Sequence, residues 1–239
     1  MLNKNYLKLV ILPGKNPPGS LAKHYNAAYE CWKSTWQEAA LELTDIPRTL
    51  DSNEFIRQDE VMAVFDNDKC TSLGFWTEID FNYLASRQDS YFRSWTPKTL
   101  EKLTRDGSLV GKYSYLTVAK DYRKTMSDFG FSFKDLQIGV FARRFLESAA
   151  VSMTGTTRNN KGVNQVCARG GAMLIESNLV QHGVGIDLMV WYRDIAKPHS
   201  SVADLVEFLW TTRFDYRYLT NEKTNNPKEG TNYGSAASA

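Results

Sequence analysis

The stretch "LTVAKDYRK", residues 116–124, decides how this sequence folds. Its first four residues suit a buried strand, whereas the next five include Lys120, Arg123 and Lys124. A strand that runs directly into basic residues has two explanations. Either the charges are solvated at an ordinary strand end, or they border a site that binds an anionic ligand.

Length and charge indicate one globular domain. The chain has 239 residues with 29 basic and 27 acidic side chains, a formal net charge of +2. A core of this size is stable without disulfides or a structural metal, and the near balance of charge does not indicate nucleic-acid binding. We expect a single domain over 1–219 with an N-terminal helical extension and a C-terminal helix. The Asn-, Gly- and Ser-rich segment 220–239 is expected to be a disordered tail.

The cysteines argue against a disulfide framework and against a zinc site. Cys31, Cys70 and Cys167 are odd in number, far apart and without a CxxC pair, which fits a reducing compartment. The histidines have no metal-ligand spacing either, so no metal is expected. The apolar run at 7–12 is too short for a signal peptide or a membrane span. These features predict a cytoplasmic protein without a membrane span.

Aromatic residues make up 13% of the chain. They indicate either a rich hydrophobic core or an apolar ligand tunnel, and the composition leaves both open.

Periodicity and turn residues predict the elements of the fold. Ser20 and Ser132 are expected to cap two helices. In the fourth strand, Tyr113, Tyr115 and Thr117 are expected to share one face because they alternate with other residues. The predicted strands are 6–14, 61–65, 71–79, 108–120, 150–156 and a final hairpin connected across 177–184; the predicted helices begin after Ser20 and cover about 97–105, 132–150, 161–171 and 200–214. This order predicts a mixed α/β sheet with helices on its faces.

Three segments, in this order, resemble the Gcn5-related N-acetyltransferase (GNAT) family over about 55–193. "VMAVFDNDKCTSLGFWTEI" (61–79) resembles its second and third strands, and Gly74–Phe75 matches a common Gly-Phe. "LTVAKDYRK" resembles the fourth strand and its exit, V-x-P-x-x-R. "NKGVNQVCARGGAM" (160–173) resembles N-x-x-A-x-x-x-Y-x-x-x-G-F, with Asn160 at the Asn and Cys167 at the Tyr. The resemblance implies an α/β (α+β) fold with a mixed, mainly antiparallel central sheet and helices on both faces.

The chain departs from the family at two functional positions. The pyrophosphate loop R/Q-x-x-G-x-G/A is missing, because "KTMSDFGFS" follows Arg123 and contains only Gly130. Cys167 stands where the family often has the tyrosine that protonates the leaving thiolate. With the aromatic richness, these departures resemble the long-chain N-acyl amino acid synthases, which take acyl groups from acyl carrier protein, as acyl-homoserine lactone synthases also do.

The resemblance implies an N-acyltransferase that moves an acyl group, expected to be long, to a small amine such as an amino acid. Acyl carrier protein or acyl-CoA is the implied donor, and no permanently bound cofactor is implied. Two alternatives remain open: a non-catalytic module that binds an acyl-thioester or a protein partner, and an acetyl-CoA enzyme with an unusual loop.

The donor is expected to bind where the fourth strand ends and the 132–150 helix begins. Free N–H groups at a helix N-terminus and nearby cations attract phosphate or an acidic carrier protein. The alternative is solvated surface charge. The candidate donor-binding residues are Val118, Ala119, Lys120, Arg123, Lys124, Ser132 and Asn160.

Four side chains are candidates for the chemistry. Glu78 or Asp80 is expected to deprotonate the amine or bind its ammonium form, against the alternative of a polar strand end. Tyr115 or Cys167 is expected to protonate the thiolate, although a free cysteine is more often a small buried residue. The oxyanion is expected to accept from a backbone N–H near Val118 or Ala119.

Overall fold

The computed structural model of the chain describes residues 6–44, 50–123, 130–181 and 183–219. Eight strands in these ranges form one sheet in the order β6-β7-β5-β4-β3-β2-β1-β8. The strands are β1 Leu7–Pro13, β2 Glu60–Asp66, β3 Lys69–Asp80, β4 Leu109–Val118, β5 Ser152–Arg158, β6 Met173–Gln181, β7 Val184–Tyr192 and β8 Phe214–Asp215.

Seven α-helices and several short 3₁₀ turns accompany these strands in the described ranges. The helices are α1 Ala22–Thr44, α2 Asn53–Ile56, α3 Leu84–Arg87, α4 Pro97–Leu103, α5 Phe133–Glu147, α6 Val163–Arg169 and α7 Ala203–Thr211. The 3₁₀ turns that matter for the site are 90–94, 120–122 and 159–161. None of the helices in the described ranges combines the length and apolar character needed to cross a bilayer.

The sheet lies between two layers of helices, and hydrophobic clusters fill the space between the sheet and each layer. On one face of the sheet, α5, α6 and α7 bury residues such as Phe141, Cys167 and Leu209. On the other face, α1 covers β3 and β4 with Trp32, and the segment from the 90–94 turn to α4 forms a separate cluster that includes Phe92. We call these faces the α5 face and the α1 face.

The pairing confirms the predicted mixed, mainly antiparallel sheet. β4 runs parallel to β5 and β1 runs parallel to β8, whereas the other neighbouring strands are antiparallel. The β2–β3 hairpin turns at residues 67–68, as the "DNDK" segment predicted. The short β8 was not predicted, because two residues carry too little periodicity to be recognised.

A β-bulge in β4 overturns the expectation that Tyr113 and Tyr115 share a face. Phe75 pairs with Ser114 and Leu73 with Thr117, so two residues of β4 lie opposite Gly74 alone. Tyr115 adopts a left-handed backbone with φ 56°. As a result, the Tyr113 ring packs on the α5 face, whereas the Tyr115 ring packs on the α1 face.

Helix ends match the sequence in one place and differ in another. The Ser132 side chain accepts a hydrogen bond from the Asp135 N–H at 3.3 Å, which confirms the predicted cap of α5. Ser20 does not cap α1, because it lies inside a 3₁₀ turn over 19–21 that precedes the helix. The connection in the last hairpin is also shorter than predicted, because β6 continues to Gln181 through two irregularities in its pairing with β7.

Candidate functional site

An opening in the sheet separates the C-terminal halves of β4 and β5. The two strands pair only where Val110–Lys112 lies beside Ser152–Thr154, although β4 continues to Val118 and β5 to Arg158. The bulge bends β4 where the strands part, as bulges do in paired strands. We call the space between 113–118 and 155–158 the opening.

Tyr113 closes the base of the opening on the α5 face. Its ring lies so close to Gly155 that a Cβ there would be 2.2 Å from the Tyr113 Cε1. The Tyr113 Oη lies 3.0 Å from the Cys167 Sγ, and both residues are buried. Burial raises the pKa of the Cys167 thiol to about 12 and that of the Tyr113 phenol well above its ordinary value, so both groups are neutral.

Tyr91 and Ser114 line the base of the opening on the α1 face. The Thr156 N–H donates a hydrogen bond to the Tyr91 Oη at 2.8 Å, so the 90–94 turn reaches β5 here. Burial raises the pKa of Tyr91 to about 12. The Ser114 Oγ is buried without a hydrogen-bond partner in the part of the chain that the structure describes. A buried hydroxyl of this kind is available to a bound polar group.

The N–H groups of Val118 and Ala119, the two candidates for binding the oxyanion, point to opposite sides of the chain at the end of β4. The Ala119 N–H donates to the Thr71 carbonyl at 2.9 Å, so it is committed to β3 and is not available to an oxyanion. Neighbouring N–H groups of a strand point to opposite sides. The Val118 N–H therefore points away from β3 and towards the opening.

The basic residues after β4 are paired with α1. The Arg123 Nη1 lies 2.7 Å from the Glu38 Oε2, and the Lys120 Nζ lies 3.6 Å from the Glu38 Oε1. The hydrogen bond from Arg123 lowers the pKa of Glu38. The Arg123 Nε also donates to the Val118 carbonyl at 2.9 Å. Lys124 lies outside the described residues.

Three further cations, which the sequence did not single out, surround the start of α5. Burial lowers the pKa of Lys134, and the positive charges of Lys161, Arg123 and Arg169 lower it further. Lys161 is paired with Glu42 at 2.5 Å, and Arg169 with Asp135 at 2.9 Å. Asn160 lies in the 159–161 turn between β5 and α6. Because these cations come from separate segments, only the folded chain brings them together.

A cavity of about 570 Å³ lies between the β3–β4 ladder and the segment around α3. It contains both predicted acids and, in addition, a lysine from β4 that the sequence did not single out. The lining residues are Arg57, Thr77, Glu78, Ile79, Asp80, Tyr83, Ala85, Ser86, Asp89 and Lys112.

The two predicted acids have different surroundings. The Glu78 Oε1 lies 3.2 Å from the Arg144 Nη2, whose guanidinium also binds the buried Glu60. Asp80 is half-buried, and the Asn82 N–H donates to its Oδ1 at 2.9 Å, which lowers its pKa. Neither carboxylate lies beside Cys167. In the described residues, no three His, Cys, Asp or Glu side chains form a group that could hold a metal ion.

Tyr115 and Cys167, the two candidate acids, lie on opposite faces of the sheet. The Tyr115 hydroxyl donates to the Glu54 Oε2 at 2.7 Å. Its ring contacts Trp32, Trp36 and Phe75 at centroid distances of 5.8, 5.0 and 5.5 Å. These rings fill the space between α1 and the sheet, which favours a hydrophobic core as the explanation for much of the aromatic content.

Comparison with known proteins identifies the fold. No family model and no curated protein sequence matches the chain. The structure is similar to that of BjaI, a CoA-dependent acyl-homoserine lactone synthase, with 8% identity over 87% of this chain and 92% of that protein and a TM-score of 0.51. It also matches, with lower scores, an acetyltransferase from Salmonella typhimurium described as putative (11% identity, 82% of this chain and 99% of that one, TM-score 0.49) and FeeM, an N-acyl amino acid synthase from uncultured soil microbes (8% identity, 79% and 91%, TM-score 0.47). The similarity to BjaI confirms the predicted GNAT-like fold.

Proposed function

We propose that this chain transfers an acyl group from a thioester to an amine. The observation that carries the proposal is the opening between β4 and β5, where two parallel neighbours stop pairing inside an otherwise continuous sheet. An unpaired strand edge inside a protein needs hydrogen-bond partners. An extended donor that carries amide groups can supply them, as peptides do when they add to a sheet edge.

The donor enters from the end of β4 in this proposal. The Val118 N–H points into the opening and is available to a carbonyl of the donor arm. The N-terminus of α5, with Lys134, Lys161 and Arg123 nearby, attracts phosphate groups. Both CoA and the phosphopantetheine arm of acyl carrier protein carry phosphate next to an amide-containing arm, so either donor suits this arrangement.

The acyl transfer forms a C–N bond and breaks a C–S bond. The amine attacks the thioester carbonyl as the free base, the tetrahedral intermediate collapses, and the thiolate leaves and takes up a proton. The neutral Tyr113 hydroxyl at the base of the opening is our candidate donor of that proton, since Tyr115 lies on the other face. Cys167 is then its hydrogen-bond partner rather than the acid itself. The ammonium proton of the acceptor passes to water or to an acid of the cavity, Glu78, Asp80 or Asp89. The second proton, which the attacking nitrogen loses as the amide forms, passes through water to restore the Tyr113 hydroxyl.

A binding module without turnover is the second candidate, and a specific observation favours it. Tyr113 and Tyr91 fill the base of the opening from both faces, so a donor must displace or slide past packed rings to reach the cavity. In such a module the thioester would be held but not consumed.

Mass spectrometry distinguishes these functions. The protein is incubated with acetyl-, octanoyl- and palmitoyl-CoA, with the same acyl groups on acyl carrier protein, and with a mixture of amines and amino acids. An acyl-amine product that heat-denatured protein does not form supports the transferase. Stabilisation by a donor in a thermal-shift experiment without any product supports the module. Absence of both product and stabilisation contradicts both candidates.

A further inference from the structure

Lys112 is a buried lysine whose ammonium group makes no hydrogen bond or ion pair in the residues that the structure describes. It lies in the middle of β4, is 6% exposed, and lines the cavity. In the described chain its Nζ has no hydrogen bond or ion pair, and its nearest recorded polarisable neighbour is the Tyr91 ring, with the centroid 5.4 Å away. Burial lowers the pKa of this amine, and the negative charges of Asp89, Asp59 and Glu54, none of which is hydrogen-bonded to it, oppose that shift only in part. Keeping a lysine in such a place is costly unless an anion compensates it.

The other charged residues of the cavity already have partners. Arg57 is paired with Glu54 at 2.8 Å, and Glu78 with Arg144 at 3.2 Å. The Asp80 Oδ1 accepts from the Asn82 N–H, and the Asp89 Oδ1 from the Tyr91 N–H, at 2.9 and 2.7 Å. A ligand that enters the cavity therefore meets an ammonium group, that of Lys112, which has neither a hydrogen bond nor an ion pair in the described residues.

Lys112 lies at the point where the opening begins. It pairs with Thr154, the last pair before β4 and β5 separate. Ser114, whose buried Oγ has no partner in the described residues, follows two positions later on β4 and therefore on the same face, roughly 7 Å away. An anion held at Lys112 would place the rest of its molecule next to the opening, where the thioester lies in the proposed function.

We propose that Lys112 binds the carboxylate of the acceptor, so that the cavity selects amines that carry a carboxylate over simple amines. This inference rests on the proposed function for its link to acyl transfer. The cavity volume of about 570 Å³ lies within the range of small-molecule sites and leaves room for a side chain. The acids Asp80 and Asp89 in the same cavity suit the ammonium group of such a zwitterion.

Matched pairs of acceptors test the inference. Each pair consists of an amino acid and the amine that it yields on decarboxylation: glycine and methylamine, L-leucine and isopentylamine, L-phenylalanine and phenethylamine. Dissociation constants are measured by calorimetry with full-length protein, with and without CoA, and the same six compounds serve as acceptors in the acyl-transfer assay.

We expect the wild-type protein to bind at least one amino acid more tightly than its amine. Lys112→Met removes the charge but keeps the volume, and it should weaken binding of that amino acid by about 10- to 100-fold, as expected for loss of a charged hydrogen bond. Binding of the amine should change by less than about twofold. Lys8→Met, an exposed lysine on β1, is the matched control and should leave both affinities unchanged.

Lys112→Gln provides a second variant in case the methionine protein does not fold, and circular dichroism checks both. The inference is overturned if no amino acid binds more tightly than its amine, or if the preference survives in both Lys112 variants. Binding that depends on Lys112 without any acyl-amine product would keep the carboxylate site and contradict the transferase function. If amines and amino acids are acylated equally well, and the Lys112 variants do not change this, the transferase function is supported and the carboxylate site is contradicted.

Discussion

The Tyr113 hydroxyl and the Cys167 thiol lie 3.0 Å apart and are both buried at the base of the opening. The resemblance implies a proton donor at position 167. In the structure, the hydroxyl that reaches this place comes from β4 instead of from α6. A cysteine at 167 therefore does not leave the site without a hydroxyl.

Tyr113→Phe tests whether the Tyr113 hydroxyl is the proton donor that the resemblance implies for position 167. If the hydroxyl protonates the thiolate, kcat should fall by roughly 100-fold or more, the usual contribution of a positioned acid, while the KM of the donor changes little. Cys167→Ala keeps the hydroxyl and should lower kcat far less. A Tyr113→Phe enzyme with nearly full kcat would exclude this tyrosine as the acid.

The raised pKa values of Tyr113 and Cys167 predict that the folded protein loses stability in alkaline solution. The pKa of Cys167 is about 12 in the folded chain against an ordinary value of 9.0, and that of Tyr113 is also raised. Groups with a raised folded pKa contribute stability below their unfolded pKa and lose it as pH rises, here from about pH 9 upwards for Cys167 and from about pH 10 for Tyr113, at up to ~1.4 kcal/mol per pH unit for each group. Urea unfolding between pH 7 and 10.5 should show the decline, and Cys167→Ala should make it shallower. An unchanged slope in that variant would contradict the assignment.

Glu38 is expected to weaken donor binding. Its carboxylate holds Arg123 at 2.7 Å and Lys120 at 3.6 Å, so it neutralises cations beside the proposed donor site. Glu38→Gln should tighten the dissociation constant of the donor by up to about fivefold at low ionic strength, and less at high salt, since exposed ion pairs are worth ~0.2–1 kcal/mol.

The control for this variant is Glu207→Gln, which removes a similar carboxylate from α7 that pairs with Arg143. It should not change donor affinity. Equal effects of the two variants, or weaker donor binding in Glu38→Gln, would show that Arg123 and Lys120 do not bind the donor.

A buried ion pair connects α5 to β2. Arg144 donates to both oxygens of Glu60 at 2.8 and 2.6 Å, and each residue is 7% exposed. Arg144→Met should lower the free energy of unfolding by about 3 kcal/mol, the lower end of the range for breaking a buried pair, because the Arg217 Nη1 remains 3.8 Å from Glu60. Arg143→Met, which removes a more exposed pair, should cost less than ~1 kcal/mol in the same urea experiment.

The sequence allowed most of the sheet to be predicted, because strand periodicity and turn residues are local signals. The Ser132 cap and the β2–β3 turn are examples. The opening could not be predicted in this way. It is a relationship between β4 and β5, and neither strand has an unusual sequence.

The site residues were harder to recognise for the same reason. Lys112 is one polar residue in an alternating strand, which is typical of a solvated face, and only the fold buries it. Regular alternation gives Tyr113 and Tyr115 the same face, so the sequence does not show that only Tyr113 reaches Cys167. The left-handed backbone at Tyr115, a residue type that rarely adopts it, left no signal in the sequence.

The bulge adds one residue to β4 close to the point where β4 separates from β5. Residues 114 and 116–118 would keep their partners and their faces if Tyr115 were deleted, since Gly74 would then oppose Leu116 alone. The straightened β4 would be free to pair with β5 along its whole length. A single inserted residue thus coincides with the division of this sheet, and we expect its deletion to close the opening.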